Sequence, residues 1–260
     1  MNNQSVSSYP LDKIEYKSTG SGDPPILLLH GWGGDINSLD VIGTPLAQHR
    51  RVISISLPGF GKSPEPDAAW NPWDYLSMLK GWLELQGLSK VDIIAHSFGG
   101  RISIPLASRH PDLVGKLILI SGAGLKSQRS MKTRLKIMTS KNIARVARVF
   151  RGRYAKFIEN FRQQLGSQDW KLASPVMRGT LVKTLEEDLR DELNKIAAPT
   201  LLVWGEKDTA TPLFMARIMD NLIQNSKLVV IPDAGHYCFL ERKGEVLSAV
   251  WEHFGLPEAW

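Results

Sequence analysis

The sequence predicts an α/β fold in which a mostly parallel central sheet is flanked by helices and interrupted by an inserted helical segment. Three observations carry this expectation. Short apolar runs such as Ile26-Leu27-Leu28-Leu29 suit strands buried on both faces. These runs alternate with segments of helical apolar spacing, which is the rhythm of a parallel sheet with crossover helices. From Leu125 to about Ile196 the rhythm breaks, and helical spacing and charge continue with no convincing strand. The expected division is one domain built from residues 1–124 and 197–260, with residues 125–196 inserted into it as a helical cap.

In chain order, Tyr9 to Thr19 reads as an irregular strand pair or hairpin edge, closed by the turn cluster Gly20-Ser21-Gly22-Asp23-Pro24-Pro25. The strand from Ile26 ends at His30-Gly31-Trp32-Gly33-Gly34, too glycine-rich for a helix interior. Asp35 to His49 has helical spacing through Leu39, Ile42 and Leu46. Arg51 to Ser56 is the next strand, followed by Leu57-Pro58-Gly59-Phe60-Gly61-Lys62-Ser63. A helix is expected over Trp73 to Leu85, with Gly87 as its stop signal. The run Val91-Asp92-Ile93-Ile94-Ala95-His96 is a strand that ends abruptly at Ser97, and Ser97 to Arg109 reads as a helix that Pro105 kinks or distorts. Lys116 to Ile120 is another strand. After the inserted segment come a strand over Pro199 to Trp204, a helix over Pro212 to Ile223, a strand over Lys227 to Ile231 and a helix over Glu241 to Phe254.

At 260 residues the chain can bury a full core, and its 43% hydrophobic and 22% charged fractions are ordinary for a soluble globular protein. Its single cysteine, Cys238, cannot form an intramolecular disulfide. The polar start Met1-Asn2-Asn3-Gln4-Ser5 lacks the pattern of a signal peptide, and no apolar run approaches a membrane span. A cytoplasmic protein is the expectation. The net charge of +6 is uneven: 11 of the 32 Lys and Arg residues fall between Lys126 and Lys156, where there is no Asp or Glu, leaving 21 basic against 26 acidic residues elsewhere. Such asymmetry bears on partners more than on fold.

The chemistry gathers at strand ends. Ala95-His96-Ser97-Phe98-Gly99 sets a serine between small residues at a strand-to-helix turn, the arrangement that exposes an activated hydroxyl. Acyl transfer at that serine needs an imidazole to take its proton and a carboxylate to orient the imidazole. Asp208, in Gly205-Glu206-Lys207-Asp208, follows one strand; His236, after Gly235, follows the last. Glu206 and Asp233 compete for the acid's role, but Asp233 is close enough in sequence to His236 to shape its loop instead. His49, His110 and His253 fit structural roles on helices or their ends, whereas His30 and His96 fit turn-shaping ones. The oxyanion needs preorganised donors. The expected pair is the backbone N–H of Phe98 and of Trp32, whose glycine neighbours let the chain approach a substrate.

Other signals fall away. Gly61-Lys62-Ser63 evokes a phosphate-binding loop, but that motif needs a glycine where Ser56 stands. No His or Cys pair has metal-ligand spacing, so neither metal nor cofactor is expected.

With these motifs in order, the chain resembles the α/β-hydrolase superfamily over nearly its whole length. The matching stretches are His30-Gly31-Trp32-Gly33, Pro58 to Ser63, Ala95 to Gly100, Gly205 to Asp208 and Gly235-His236. The one departure is Ala95 in place of the first glycine of the serine turn. The resemblance implies a serine hydrolase of the esterase-like branch with a helical cap that sets specificity, and it implies Ser97, His236 and Asp208 as nucleophile, base and acid. A serine nucleophile separates it from the haloalkane dehalogenase and epoxide hydrolase branches, which use an aspartate. Carbon–carbon bond hydrolysis with the same triad, and a non-catalytic small-molecule receptor on the same fold, remain as alternatives. The basic stretch containing Arg145, Arg148 and Arg151 reads either as a solvated helical face or as a landing site for an acidic partner or anionic substrate. The glycine loop with a basic cap looks like esterases that act on carrier-bound acyl methyl esters. No nucleic-acid module accompanies the charge.

Overall fold

A computed structural model describes residues 8–126 and 173–256. Seven strands form one sheet in the order β1-β3-β2-β4-β5-β6-β7, with β1 antiparallel to β3 and every other pairing parallel. The strands are β1 (Tyr16–Thr19), β2 (Ile26–Leu29), β3 (Val52–Ile55), β4 (Val91–His96), β5 (Val114–Ile120), β6 (Thr200–Gly205) and β7 (Ser226–Ile231). The helices among the described residues are α1 (Asp40–Leu46), α2 (Pro72–Leu85), α3 (Gly100–Arg109), α4 (Pro175–Glu186), α5 (Arg190–Leu193), α6 (Leu213–Leu222), α7 (Cys238–Glu241) and α8 (Lys243–Phe254).

The continuous apolar runs are buried on both faces because successive strand residues point to opposite sides. Leu27 and Leu29 of β2, Ile93 of β4 and Leu117 and Leu119 of β5 enter one core, which α2, α3 and α6 cover. Ile26, Leu28, Ile94, Ile118 and Ile120 enter the other, which α1 and α8 cover. Each fully buried aliphatic side chain contributes about 1.5–3 kcal/mol. Of the edge strands, β1 is largely exposed and β7 largely half-buried.

Several boundaries differ from the sequence reading for local reasons. The N-terminal segment is not a strand pair: a short 3₁₀ turn at Leu11–Lys13 precedes a single strand that pairs with β3. The helix expected from Asp35 begins only at Asp40, because the Asp35 carboxylate accepts the Asn37 N–H at 2.8 Å and closes a turn. The start of α2 is sharper than the sequence suggested. Asn71 accepts from the Trp73 and Asp74 N–H groups, and Asp74 accepts from the Asn71 N–H in return. The last helix breaks at Arg242 into α7 and α8. Most of the segment expected as a cap lies outside the described residues; α4 and α5 belong to its return path.

Chain order places the reactive loops. From β2 the chain crosses to β3 on one side and then returns to β4 on the other, so the crevice between the β2 and β4 ends is a topological switch point. Trp32 follows β2 and Ser97 follows β4.

Candidate active site

The serine turn is built by close approach. β4 ends at His96, and the chain bends at Ser97 with φ +48° into the 3₁₀ turn Ser97–Gly99 and then α3. A non-glycine residue in this region costs about 1–3 kcal/mol, which the packed strand and helix on either side must hold in place. Gly99 permits the geometry: a Cβ there would lie 2.4 Å from the Leu29 carbonyl oxygen. Ala95 is still within regular strand register, opposite Leu29 and Leu119, and its methyl is buried there. The missing glycine is therefore accommodated before the turn begins.

Loops from three strand ends bring Ser97, His236 and Asp208 together. His236 Nε2 is 2.9 Å from Ser97 Oγ, and its Nδ1 is 2.9 Å from Asp208 Oδ2. A carboxylate only accepts, so the imidazole proton is assigned to Nδ1, and Nε2 is free to accept from the serine hydroxyl. Asp208 is held on every side. Its Oδ1 accepts the Ala210 and Thr211 N–H groups at 2.8 and 2.9 Å, and Thr211 Oγ1 lies 2.8 Å from its Oδ2. Burial pushes this carboxyl up, but the hydrogen bonds from His236 and from the Thr211 N–H and hydroxyl outweigh it and hold the group at about 2. Neither competitor takes this place: Asp233 pairs with Lys207 at the surface, and Glu206 accepts the Asp233 N–H.

The two histidines at strand ends shape the loops around the serine. His30 Nε2 accepts the Leu57 N–H at 2.9 Å, so its proton sits on Nδ1 and is donated to the Gly31 carbonyl, 2.7 Å away. His96 Nε2 lies 3.1 Å from the carbonyl of His236 and ties the His236 loop to the residue before Ser97. A Cβ on Gly31 would lie 2.8 Å from His96 Nδ1, so this glycine is what lets the β2 loop meet the serine turn. The Trp32 ring packs edge-on against Phe60 and Phe98. Phe98 is in the first turn after Ser97, where N–H groups lack intrahelical acceptors.

Burial lowers His30 to about 4 and, as the largest cause beside the neighbouring His236, His96 to about 3. Both are neutral when folded and gain protons on unfolding in acid. Their contribution is whole above the unfolded value near 6.5, is lost progressively as pH falls below it, and is gone once pH has passed through the folded values. We expect each to cost ~2 kcal/mol of stability between pH 7.5 and pH 5. Urea titrations at the two pH values, on wild type and His30→Gln, check this; equal losses in the two proteins would exclude His30 as a source.

The site opens into a cavity of about 660 Å³, walled by apolar side chains that include Trp32, Phe98, Leu181, Leu185, Tyr237 and Leu240. Among the described residues no cluster of His, Cys, Asp and Glu could hold a metal ion. Cys238 is buried, with its thiol pushed up to about 12 by that burial, and it packs as an apolar residue. The Gly61-Lys62-Ser63 loop holds to Glu15, whose carboxylate accepts the Lys62 N–H and the Ser56 hydroxyl. Sequence reasoning missed Thr211, although a hydroxyl three residues after Asp208 was a visible signal. It also missed Arg101, which no local pattern announces.

The family described as alpha/beta hydrolase fold has a model that matches residues 24–243. A pimeloyl-[acyl-carrier protein] methyl ester esterase of Neisseria meningitidis is 30% identical over 256 residues, covering 92% of this chain and 96% of its own. A 2-hydroxy-6-oxononadienedioate/2-hydroxy-6-oxononatrienedioate hydrolase of Paraburkholderia phymatum is 27% identical, covering 93% of this chain and 86% of its own. A solved hydrolase from Pseudomonas aeruginosa superposes with a TM-score of 0.73 at 21% identity over 93% of this chain and 94% of that one, a likeness of fold.

Proposed function

The chain belongs to the α/β-hydrolase family, and on that premise we propose that it is a serine hydrolase cleaving a carboxylic ester or related acyl bond through a covalent acyl-enzyme. The observation that carries this reading is the unbroken hydrogen-bonded chain from Ser97 through His236 to Asp208 at the cavity. Ser97 Oγ attacks the acyl carbon as His236 Nε2 takes its proton, and the imidazolium returns it to the leaving alkoxide. Asp208 keeps Nδ1 protonated and balances the cation. The N–H groups of Trp32 and Phe98 hold the oxyanion. Water then attacks the acyl-enzyme by the same route in reverse order. In rapid mixing with p-nitrophenyl butyrate, we expect a burst approaching one equivalent of p-nitrophenol per active site if deacylation is slower than acylation. Absence of both burst and turnover on acetate and butyrate alike would overturn the proposal.

For the substrate we propose an acyl methyl ester presented by an acidic carrier. The Neisseria relative is named for the methyl ester of a pimeloyl group on an acyl-carrier protein, the cavity wall formed by the described residues is largely apolar, and the stretch with Arg145, Arg148 and Arg151 is basic, although these arginines lie outside the described residues. Reversing the three arginines to Glu should raise KM for an anionic or carrier-bound ester by at least about tenfold and leave a neutral ester of equal chain length near its original value. Equal effects on the two classes, or none, would remove the acidic partner. The Paraburkholderia relative supports a second reading, carbon–carbon bond hydrolysis with the same triad. Turnover of a vinylogous diketone in a protein inert toward esters would select it.

A further inference from the structure

Arg101 stands one helical turn after Ser97, on α3, and is only 3% exposed. Its guanidinium makes no ion pair among the described residues. Instead Nη1 donates to the Glu187 carbonyl at 2.9 Å, and Nη2 to the Leu125 carbonyl at 3.3 Å. Leu125 opens the 125–196 stretch, and Glu187 lies on its return path, after α4 has already packed on the sheet-bearing body through Met177 and Thr180. The Leu189 N–H also donates to the Gly124 carbonyl at 3.0 Å, so the outgoing and returning chains run side by side at the arginine. Glu187 caps the C-terminus of α4, whose terminal carbonyls favour a cation. Leu181, Thr184 and Leu185 of that helix line the cavity.

Volume alone does not call for arginine here. Burial pulls its guanidinium down to about 10, so it is charged at neutral pH and has been desolvated at a cost. A leucine or methionine would fill the space without that cost, but would leave both carbonyls without a donor. The fork-shaped, multi-donor head is what lets one side chain hold two strands of chain at once, which a lysine ammonium does less well. Farther along α3, Arg109 grips the same return path differently, through the Glu192 carboxylate of α5 at 2.6 and 2.7 Å.

We infer that Arg101 is a positioning residue that ties the start of the inserted stretch and the C-terminus of α4 to the helix that follows Ser97, and thereby sets where α4 walls the acyl cavity. It acts on what the cavity holds more than on the chemistry at Ser97. The inference rests on the proposed acyl hydrolysis for its kinetic arm only.

The test uses the full chain with Arg101→Met and Arg101→Lys. Hydrogen exchange of the α4 amides should accelerate at least about tenfold in Arg101→Met, while β4 and β5 keep their protection. With p-nitrophenyl octanoate KM should rise at least about tenfold in Arg101→Met, which loses both charge-assisted hydrogen bonds, with kcat falling by less than about threefold. Arg101→Lys, which can reach one carbonyl, should lie between the two proteins in both measurements. Exchange that rises uniformly over the sheet, with kcat falling equally on acetate and octanoate, would make Arg101 a general packing residue and overturn the inference. So would no change in α4 exchange. If Arg101→Met does not fold, Arg101→Lys decides by the same criteria. A protein inactive on every ester would sink the proposed function and leave the exchange result standing on its own.

Discussion

Replacing Ser97 by alanine should lower kcat for p-nitrophenyl butyrate by roughly 10⁴- to 10⁶-fold and abolish the burst. The size follows from what the hydroxyl does. In the proposed mechanism it is both the atom that attacks and the group to which His236 Nε2 is hydrogen-bonded at 2.9 Å, so its loss leaves His236 with nothing to activate except water. The oxyanion donors and the cavity would remain and supply the residual rate. Alanine keeps the Cβ of serine, and the φ of +48° at this position with it. The strain of the turn is therefore unchanged, and the thermal midpoint should stay within a few degrees of wild type. That separates a lost nucleophile from a damaged fold. Activity within about a hundredfold of wild type would mean that another residue performs the attack.

This turn was legible in the sequence because its causes are local. A strand of apolar residues must stop where a serine stands between small neighbours, and Gly99 is small because the Leu29 backbone is already there. The meeting of Asp208 and His236 with Ser97 was legible for a different reason: an alternating strand–helix pattern forces the residues after each strand to one edge of the sheet, where the three come together. What the sequence hid is contact across distance. Nothing in the neighbourhood of Arg101 indicates that its donors go to Leu125 and Glu187, 24 and 86 residues away. The helix read from Asp35 failed more simply. Apolar spacing in that segment is real, but an aspartate side chain that bonds its own backbone competes with the first helical turn, and it wins until Asp40. At the N-terminus, apolar and polar residues alternate too briefly to distinguish a hairpin from one strand added antiparallel to β3.

Substituting Asp208 by asparagine should lower kcat by about 10³- to 10⁴-fold with little change in KM, by forcing the wrong tautomer on the base. The surrounding donors dictate how the amide must sit. Oδ1 of Asp208 faces the N–H groups of Ala210 and Thr211, which are fixed by the backbone and cannot become acceptors. The asparagine oxygen must take that side, which turns its NH₂ toward His236 Nδ1. Thr211 adapts easily, since its hydroxyl can donate to the Ser121 carbonyl at 3.0 Å and accept from the amide. His236 adapts too, but only by accepting at Nδ1 and moving its proton to Nε2. There it becomes a donor toward Ser97 and can no longer take the serine proton. Substrate binding depends on the cavity, which this exchange does not touch, so the loss falls on kcat. In wild type the carboxyl held at about 2 is ionised throughout the neutral range; the stability it confers is whole above about 3.8 and is lost only as pH falls through about 2. The variant's defect is therefore one of orientation and charge, and lowering or raising pH between 5 and 8 should not rescue it. A variant retaining a tenth of the wild-type kcat would show that His236 is oriented by something other than Asp208.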